Sequence, residues 1–257
     1  MMCFMPKHLE VLFSAAEFEA LSQRDLSQTA CVVFDILRAT SSMVVALAHG
    51  ARAILPVSEI GEALAIKAQQ PDLLLAGERH GLRIGADQTG GIEFDLGNSP
   101  REFTIEKVSG RVLAMTTTNG TRALRACAGA KRVWVASFAN LSTTARALFL
   151  EPVEKIILVC SGTYEEAAYE DTLVAGALVD WIWHEFSPSQ VADSACIART
   201  IYHAANGDPE AILQSRNARR LFSIPDLRED VPHCLRRDIF KFAAAMKCGK
   251  VERVDVP

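Results

Sequence analysis

The run Ala30-Cys31-Val32-Val33-Phe34-Asp35-Ile36 limits the possible folds of this chain more than any other feature. It is rich in β-branched residues and bounded by polar ones, so it reads as a strand buried on both faces. Such a strand needs a layer of helices on either side, and the surrounding sequence supplies them in alternation. Further strands are expected at Leu9–Phe13, Ala53–Val57, Leu73–Gly77, Val112–Thr116, Arg132–Ser137 and Lys155–Cys160. Helices are expected at Ser41–His49, stopped by Gly50, and at Glu59–Gln70, ended by Pro71, then at Thr121–Cys127 and Leu141–Phe149.

After Cys160 the pattern turns helical: Tyr169–His184, Pro188–Ala205 with Ser187 as its cap, and most of 208–248. The expected architecture is α/β, a layered α/β/α arrangement with a mostly parallel sheet and a helix-rich C-terminal part. The 257 residues read as a single catalytic unit; a weakly marked boundary near Glu151–Pro152 is the one candidate division into two lobes.

Composition narrows the class of function. Half the residues are apolar (49%), enough for a substantial core, and the net charge is −4, without the basic excess of a general nucleic-acid binder. The dense basic group Arg216, Arg219 and Arg220 has helical spacing and is expected on a solvated face. No apolar run is long enough to span a bilayer, and Met1–Lys7 lacks the pattern of a signal peptide. The seven cysteines are odd in number and widely spaced, which argues against a disulfide framework and for a reducing, cytoplasmic setting. Cys127 and Cys196 are expected to be core thiols.

In open α/β sheets, ligands bind beyond the carboxyl ends of the strands, so the polar residues at those ends are the candidates. One strand ends in Asp35, followed by Arg38, Thr40, Ser41 and Ser42. These are a carboxylate, a planar cation and hydroxyls at a helix start; they suit a bound anion, or else a helix cap beside a surface ion pair. Another strand ends in Glu78-Arg79, and the long loop beyond it carries Asp95 and the tight-turn sequence Gly97-Asn98-Ser99-Pro100. Glu78 and Asp95 are hard oxygen donors of the kind magnesium prefers. A third strand runs into Thr116-Thr117-Thr118-Asn119-Gly120-Thr121 and a helix, which is either a phosphate cradle or a turn with an N-cap. A fourth ends near Cys160-Ser161-Gly162, with Glu170 and Asp171 opening the next helix, either as dipole-matched acids or as metal ligands. Walker, GxGxxG, GxSxG and HExxH motifs are absent, and the six histidines show no metal-ligand spacing; His80 is expected to be non-catalytic.

Taken in order, DILRATSS (Asp35–Ser42), GER (Gly77–Arg79), FDLGNSP (Phe94–Pro100), TTTNGT (Thr116–Thr121), SFAN (Ser137–Asn140) and EDTLVAG (Glu170–Gly176) resemble the 2-phosphosulfolactate phosphatase family. The resemblance runs over roughly residues 30–180, with weaker similarity at Asp230–Asp238. The link Ile84–Ile92 is longer than the family pattern, Glu93 stands where glycine is usual, and Ser161 where alanine is common.

The resemblance implies a magnesium-dependent phosphatase of α/β fold. Its implied reaction converts 2-phospho-3-sulfolactate to 3-sulfolactate and inorganic phosphate, which in archaea serves coenzyme M biosynthesis. On that reading Asp35, Arg38 and Asp171 are the expected catalytic residues, with either Asp35 or a metal-activated water as the attacking group, and Asp35, Glu78, Asp95 and Glu170 are the candidate metal ligands. Substrate binding would fall to Thr40, Ser41, Arg79, Asn98, Ser99, Thr117, Thr118, Asn119, Gly120 and Thr121. The implied partner is a small phosphorylated sulfonate or carboxylate, with no nucleic acid and no membrane, and a homodimer is the default assembly for such an enzyme. Two other readings stand beside it: a phosphatase for another small phosphorylated hydroxy acid, and a non-enzymatic small-anion-binding protein.

Overall fold

A computed structural model describes residues 8–150 and 152–256 of the chain. Met1–Lys7, with Cys3 and the segment expected to carry no signal peptide, lies outside the described residues, as does Glu151 of the expected lobe boundary. The first part runs β1 (His8–Leu12), α1 (Ala15–Glu19), β2 (Thr29–Phe34), α2 (Ala39–Ala48), β3 (Ala53–Pro56), α3 (Ile60–Gln69), β4 (Leu74–Arg79) and β5 (Leu82–Arg83). Next come α4 (Ala86–Thr89), α5 (Ile105–Val108), β6 (Val112–Thr116), α6 (Gly120–Ala126), β7 (Arg132–Ala136), α7 (Leu141–Ala147) and β8 (Lys155–Cys160). The last part holds α8 (Tyr169–Ile182), α9 (Asp193–Ala204), α10 (Arg216–Ser223), α11 (Asp230–Cys234) and the hairpin β9 (Ala243–Lys247) and β10 (Lys250–Val254).

The fold is α/β, as expected, with a ten-stranded, mostly parallel sheet in the order β1-β8-β2-β7-β9-β10-β3-β6-β4-β5. β2 is third in that order, between β8 and β7, and is buried along its whole length. Side chains alternate across it: Ala30, Val32 and Phe34 enter one core with α7, α8 and α9, while Cys31 and Val33 enter the other with α1, α2 and α6. A continuous apolar run is what this double burial requires. A third, smaller core lies between α3 and the strands β3, β4 and β6.

The C-terminal hairpin departs from the expectation that 208–248 is mainly helical. Ala243-Ala244-Ala245-Met246 has high helix propensity, but it pairs antiparallel with β7 through β9, and β10 pairs with β3. The turn Cys248-Gly249 has positive φ at both residues (49° and 75°), which matches the right-handed twist of a two-residue hairpin. This hairpin joins two parallel halves of the sheet. Because both of its outer pairings are antiparallel, β3, β6 and β4 run opposite in sense to β1, β8, β2 and β7. Sheet twist of about 20–25° per strand turns the second half round towards the first. The loops after β2, β4, β6 and β8 therefore meet across two halves rather than along one straight edge.

The helix expected over Pro188–Ala205 is interrupted. Pro188–Gln190 forms one tight turn, and the chain then extends so that Ala192 N–H donates to Leu9 O at 2.9 Å beside the open edge of β1. That contact covers a sheet edge that would otherwise be free to pair. α8 and α9 pack closely at Gly176, where an added Cβ would lie 2.1 Å from Ala198 O. On α9, Ala195 and Ala198 face the core and Cys196 is exposed, so Cys196 is not the core thiol expected; Cys127 is buried. Among the described residues no helix is long and apolar enough to cross a membrane.

Candidate active site

The site is built from the turn after β2. Asp35 is the first residue past the strand, and its Oδ1 accepts the Ala39 N–H at the start of α2 (3.0 Å). Thr40 Oγ1 accepts Asp35 N–H at 2.9 Å and donates back to Asp35 O at 3.0 Å. Ser41 Oγ donates to Ile36 O (2.9 Å), and Ser42 Oγ donates to Asn98 O (2.8 Å). The hydroxyls of Thr40 and Ser41, expected to hold substrate, thus shape the turn that presents Asp35. A turn this tight leaves backbone groups without ladder partners, and short hydroxyl side chains satisfy them.

Glu78 is the penultimate residue of β4 and is buried. Its Oε1 accepts from both Thr118 N–H (2.8 Å) and Thr118 Oγ1 (2.9 Å), and its Oε2 accepts Gly81 N–H (2.6 Å). This carboxylate pins the β6–α6 loop to the β4–β5 turn. Arg79 points elsewhere: it donates to Glu78 O at 2.8 Å, to Thr116 Oγ1 at 2.9 Å and to Ser58 O at 3.3 Å, and it does not line the pocket. The reason is strand alternation, which sends neighbouring side chains to opposite faces.

In the threonine-rich loop only Thr118 and Asn119 reach the pocket. Thr117 and Thr121 bond to each other's backbone, with Thr121 N–H donating to Thr117 Oγ1 and Thr117 N–H to Thr121 Oγ1, both at 3.1 Å. Asn119 Nδ2 donates to Ser161 O (2.9 Å) and Tyr164 O (2.7 Å), so both amide hydrogens are used and Oδ1 is left as a buried acceptor with no donor. Gly120 matters for a different reason than phosphate approach. A Cβ there would lie 2.6 Å from Asp35 Oδ2 and 2.7 Å from Ala39 Cβ, so the α6 N-terminus closes directly against Asp35.

Asp171 brackets two loops: Oδ1 accepts Ile36 N–H (2.9 Å) and Oδ2 accepts Gly162 N–H (3.1 Å). Glu170 Oε1 accepts Asn217 Nδ2 at 2.6 Å, and Glu170 lines a neighbouring cavity with Thr163 and Arg216. Asp95 is not brought to the pocket. It is partly exposed, its Oδ2 accepts Leu75 N–H (2.8 Å) near the start of β4, and its nearest cation is Lys67 at 4.0 Å. The expectation of a metal ligand at Asp95 is therefore replaced by a backbone cap.

Arg38 lines the pocket and is held at both ends of its fork. Nη1 donates to Asp230 Oδ2 (2.7 Å) and Nη2 to Gly81 O (2.6 Å). Asp230 is fully buried; its Oδ1 also accepts Ser99 Oγ (2.6 Å) and Arg101 Nε (2.8 Å). Ser99 thus serves Asp230, whereas Asn98 lines the pocket with a buried Oδ1 that has no donor. The pocket is completed by His80, Gly81, Gly162–Tyr164 and, from α10, Asn217, Arg220 and Leu221. Sequence reading missed Asp230, Asn217 and Arg220 as site residues. The Arg216–Arg220 group was visible but assigned to solvent, and Asp230 carried a faint signal in the weak similarity around it.

Electrostatics single out the floor. Burial, chiefly, and the charges of Glu78 and Glu170 push the Asp35 carboxyl up to about 7, against the pull of the Ala39 N–H and Arg38. Burial and the charges of Glu170 and Asp35 hold Asp171 well above the usual carboxylate range. Repelling carboxylates beside a buried acceptor such as Asn119 Oδ1 form a set that a hard cation would relieve. Among the described residues no three Asp, Glu, His or Cys groups converge as a complete metal cage. Magnesium is usually held by one or two carboxylates together with water and substrate phosphate, so the donors present fit it.

Comparisons with known proteins identify the family. The family model for 2-phosphosulpholactate phosphatase matches residues 16–248. A relative from Caldicellulosiruptor saccharolyticus is 34% identical over 247 residues, covering 95% of this chain and 99% of its own length. Another from Thermotoga petrophila is 38% identical over 219 residues, covering 85% and 89%. A third, from Clostridium acetobutylicum, is 29% identical over 244 residues, covering 95% and 99%. All three carry the name "Probable 2-phosphosulfolactate phosphatase". These likenesses, with the α/β fold, place the chain among α/β phosphoric monoester hydrolases. Within that class it belongs to the 2-phosphosulpholactate phosphatase family.

Proposed function

We propose that this chain is a magnesium-dependent phosphatase that hydrolyses 2-phospho-3-sulfolactate to 3-sulfolactate and inorganic phosphate. The observation that carries the reading is Asp35: a carboxyl poised near neutrality, in one pocket with Glu78, Thr118 and the anchored fork of Arg38. A proton affinity near the working pH is what a general base needs, because the group is both available and strong enough to accept a proton.

Asp35 Oδ1 is occupied by the Ala39 N–H, so Oδ2 takes the proton of the attacking water. The water oxygen bonds to phosphorus, the ester P–O bond breaks, and the proton taken at Asp35 ends on the released hydroxyl. Arg38, locked by Asp230 and Gly81, presents a rigid cationic face to phosphate oxygens at little entropic cost. Magnesium, if bound beside Asp35 by Glu78 or Glu170, would neutralise charge on the phosphate.

The test is release of inorganic phosphate from synthetic 2-phospho-3-sulfolactate, with magnesium and with EDTA. Release that depends on magnesium is expected; equal release in EDTA would remove the metal from the reading, and no release would end it. Rapid quench separates the two roles open to Asp35: a trapped phosphoryl-aspartate would make it the nucleophile instead of the base.

A further inference from the structure

The β4–β5 turn offers two consecutive carbonyls to two different guanidinium groups. Gly81 O accepts Arg38 Nη2 at 2.6 Å, and His80 O accepts Arg220 Nη2. Both turn residues have positive φ (55° at His80 and 80° at Gly81), so the backbone curls and points the two carbonyls towards the pocket wall. A Cβ at Gly81 would lie 3.2 Å from Arg220 Nη2 and 3.9 Å from Arg38 Nη2, which makes the two guanidinium groups neighbours across that glycine. Glu78 pins the same turn through Gly81 N–H. The turn therefore sets a pair of arginines side by side, one from the loop after β2 and one from α10.

Their charges are not equivalent. Arg38 is buried and its charge is met by Asp230. Arg220 is half-buried, lines the same pocket, and among the described residues is given only the neutral His80 carbonyl as a partner. An uncompensated guanidinium in a pocket whose other wall carries Asp35 and Glu78 calls for an anion. α10 is fixed in place by its Ser215 cap, by the buried Ala218 and Leu221, and by Asn217, whose amide donates to both Thr163 Oγ1 and Glu170 Oε1 at 2.6 Å. The helix is thus a rigid wall, and Arg220 is its one cation at the pocket.

We propose that Arg220 is the specificity-determining residue of this site and binds the sulfonate arm of the substrate, while Arg38 serves the transferred phosphate. This rests on the phosphatase reading given above. Sulfonate is weakly basic and weakly hydrated for its charge, and guanidinium is likewise more weakly hydrated than ammonium, so the pair sheds water at low cost. The carboxylate arm, which is more strongly hydrated, gains less from such a partner.

The experiment compares kcat/KM for 2-phospho-3-sulfolactate and for 2-phospholactate, which lacks the sulfonate, in wild type, Arg220→Gln and Arg220→Lys. Losing a charge-assisted hydrogen bond is expected to lower kcat/KM for the sulfonated substrate roughly 10- to 100-fold more than for 2-phospholactate, mainly through KM. Arg220→Lys should recover part of the discrimination. Equal loss on both substrates would overturn the assignment, because a carboxylate contact or a structural role of α10 affects both alike. A second arm is independent of turnover: calorimetric binding of 3-sulfolactate and of lactate. Wild type should prefer 3-sulfolactate, and Arg220→Gln should abolish that preference; an unchanged preference refutes the subsite. If wild type releases no phosphate, the phosphatase reading falls, and this binding arm still decides for or against Arg220.

Discussion

Removing the Asp230 carboxylate strips a buried guanidinium of its ion-pair partner without touching Asp35. Asp230 has no solvent exposure and accepts from Arg38, Ser99 and Arg101. Asp230→Ala leaves the Arg38 guanidinium, itself only 3% exposed, without its ion-pair partner and with Gly81 O as its remaining hydrogen-bond anchor. Breaking a buried pair from one side costs about 3–5 kcal/mol, because the remaining charge is desolvated and unpaired. For a chain of this size each kcal/mol moves Tm by about 2–4 °C, so a fall of about 10 °C is expected. Asp230→Asn keeps an acceptor for Ser99 and Arg101 but turns an amide towards Arg38, and should fall between wild type and Asp230→Ala. The assay is scanning calorimetry on Asp230→Ala, Arg38→Met and the double variant. The double variant should be more stable than the sum of the two losses implies, since it removes both charges together. A Tm for Asp230→Ala within about 2 °C of wild type, or strictly additive losses, would refute the view that Asp230 holds Arg38.

Asp35→Asn tests the charge balance of the pocket floor through stability rather than rate. The folded state binds the Asp35 proton up to about pH 7, whereas the unfolded chain releases it near 3.8, so this group's contribution to stability falls as pH rises between those values. In EDTA, the Tm advantage of Asp35→Asn over wild type should be larger at pH 8 than at pH 4; an advantage independent of pH would show that Asp35 is not perturbed. Magnesium should raise Tm at pH 8 for wild type and much less for Asp35→Asn, and an equal rise in both would place the metal elsewhere. Gly120→Ala puts a methyl 2.6 Å from Asp35 Oδ2 and should cost about 1–3 kcal/mol while lowering kcat sharply; a fully active, stable variant would mean that α6 can move away from Asp35.

Much of the fold was legible locally. A fully apolar, β-branched run flanked by helix signals has few places to go, and β2 became an interior strand of the parallel half of the sheet. Strand ends with Asp35, Glu78 and Asn119 were legible as well, because in parallel sheets those ends gather ligands. The hairpin of β9 and β10 was not legible: Ala243–Ala245 prefers helix on its own, and only pairing to β7 and β3 overrides that preference.

Among the site residues, the chain order alone settled which chemical groups exist and which loops carry them. It did not settle where each side chain points. Thr40, Ser41, Thr117 and Thr121 turned inward to satisfy backbone groups, Arg79 faced away, and Asp95 capped Leu75. Tertiary structure decided the rest by bringing together residues far apart in sequence: Asp230 against Arg38, Asn217 against Glu170, and Arg220 beside Gly81. Periodicity reports the burial of an element, and that is local. Charge compensation in a pocket depends on which distant element docks there, and no local pattern encodes it.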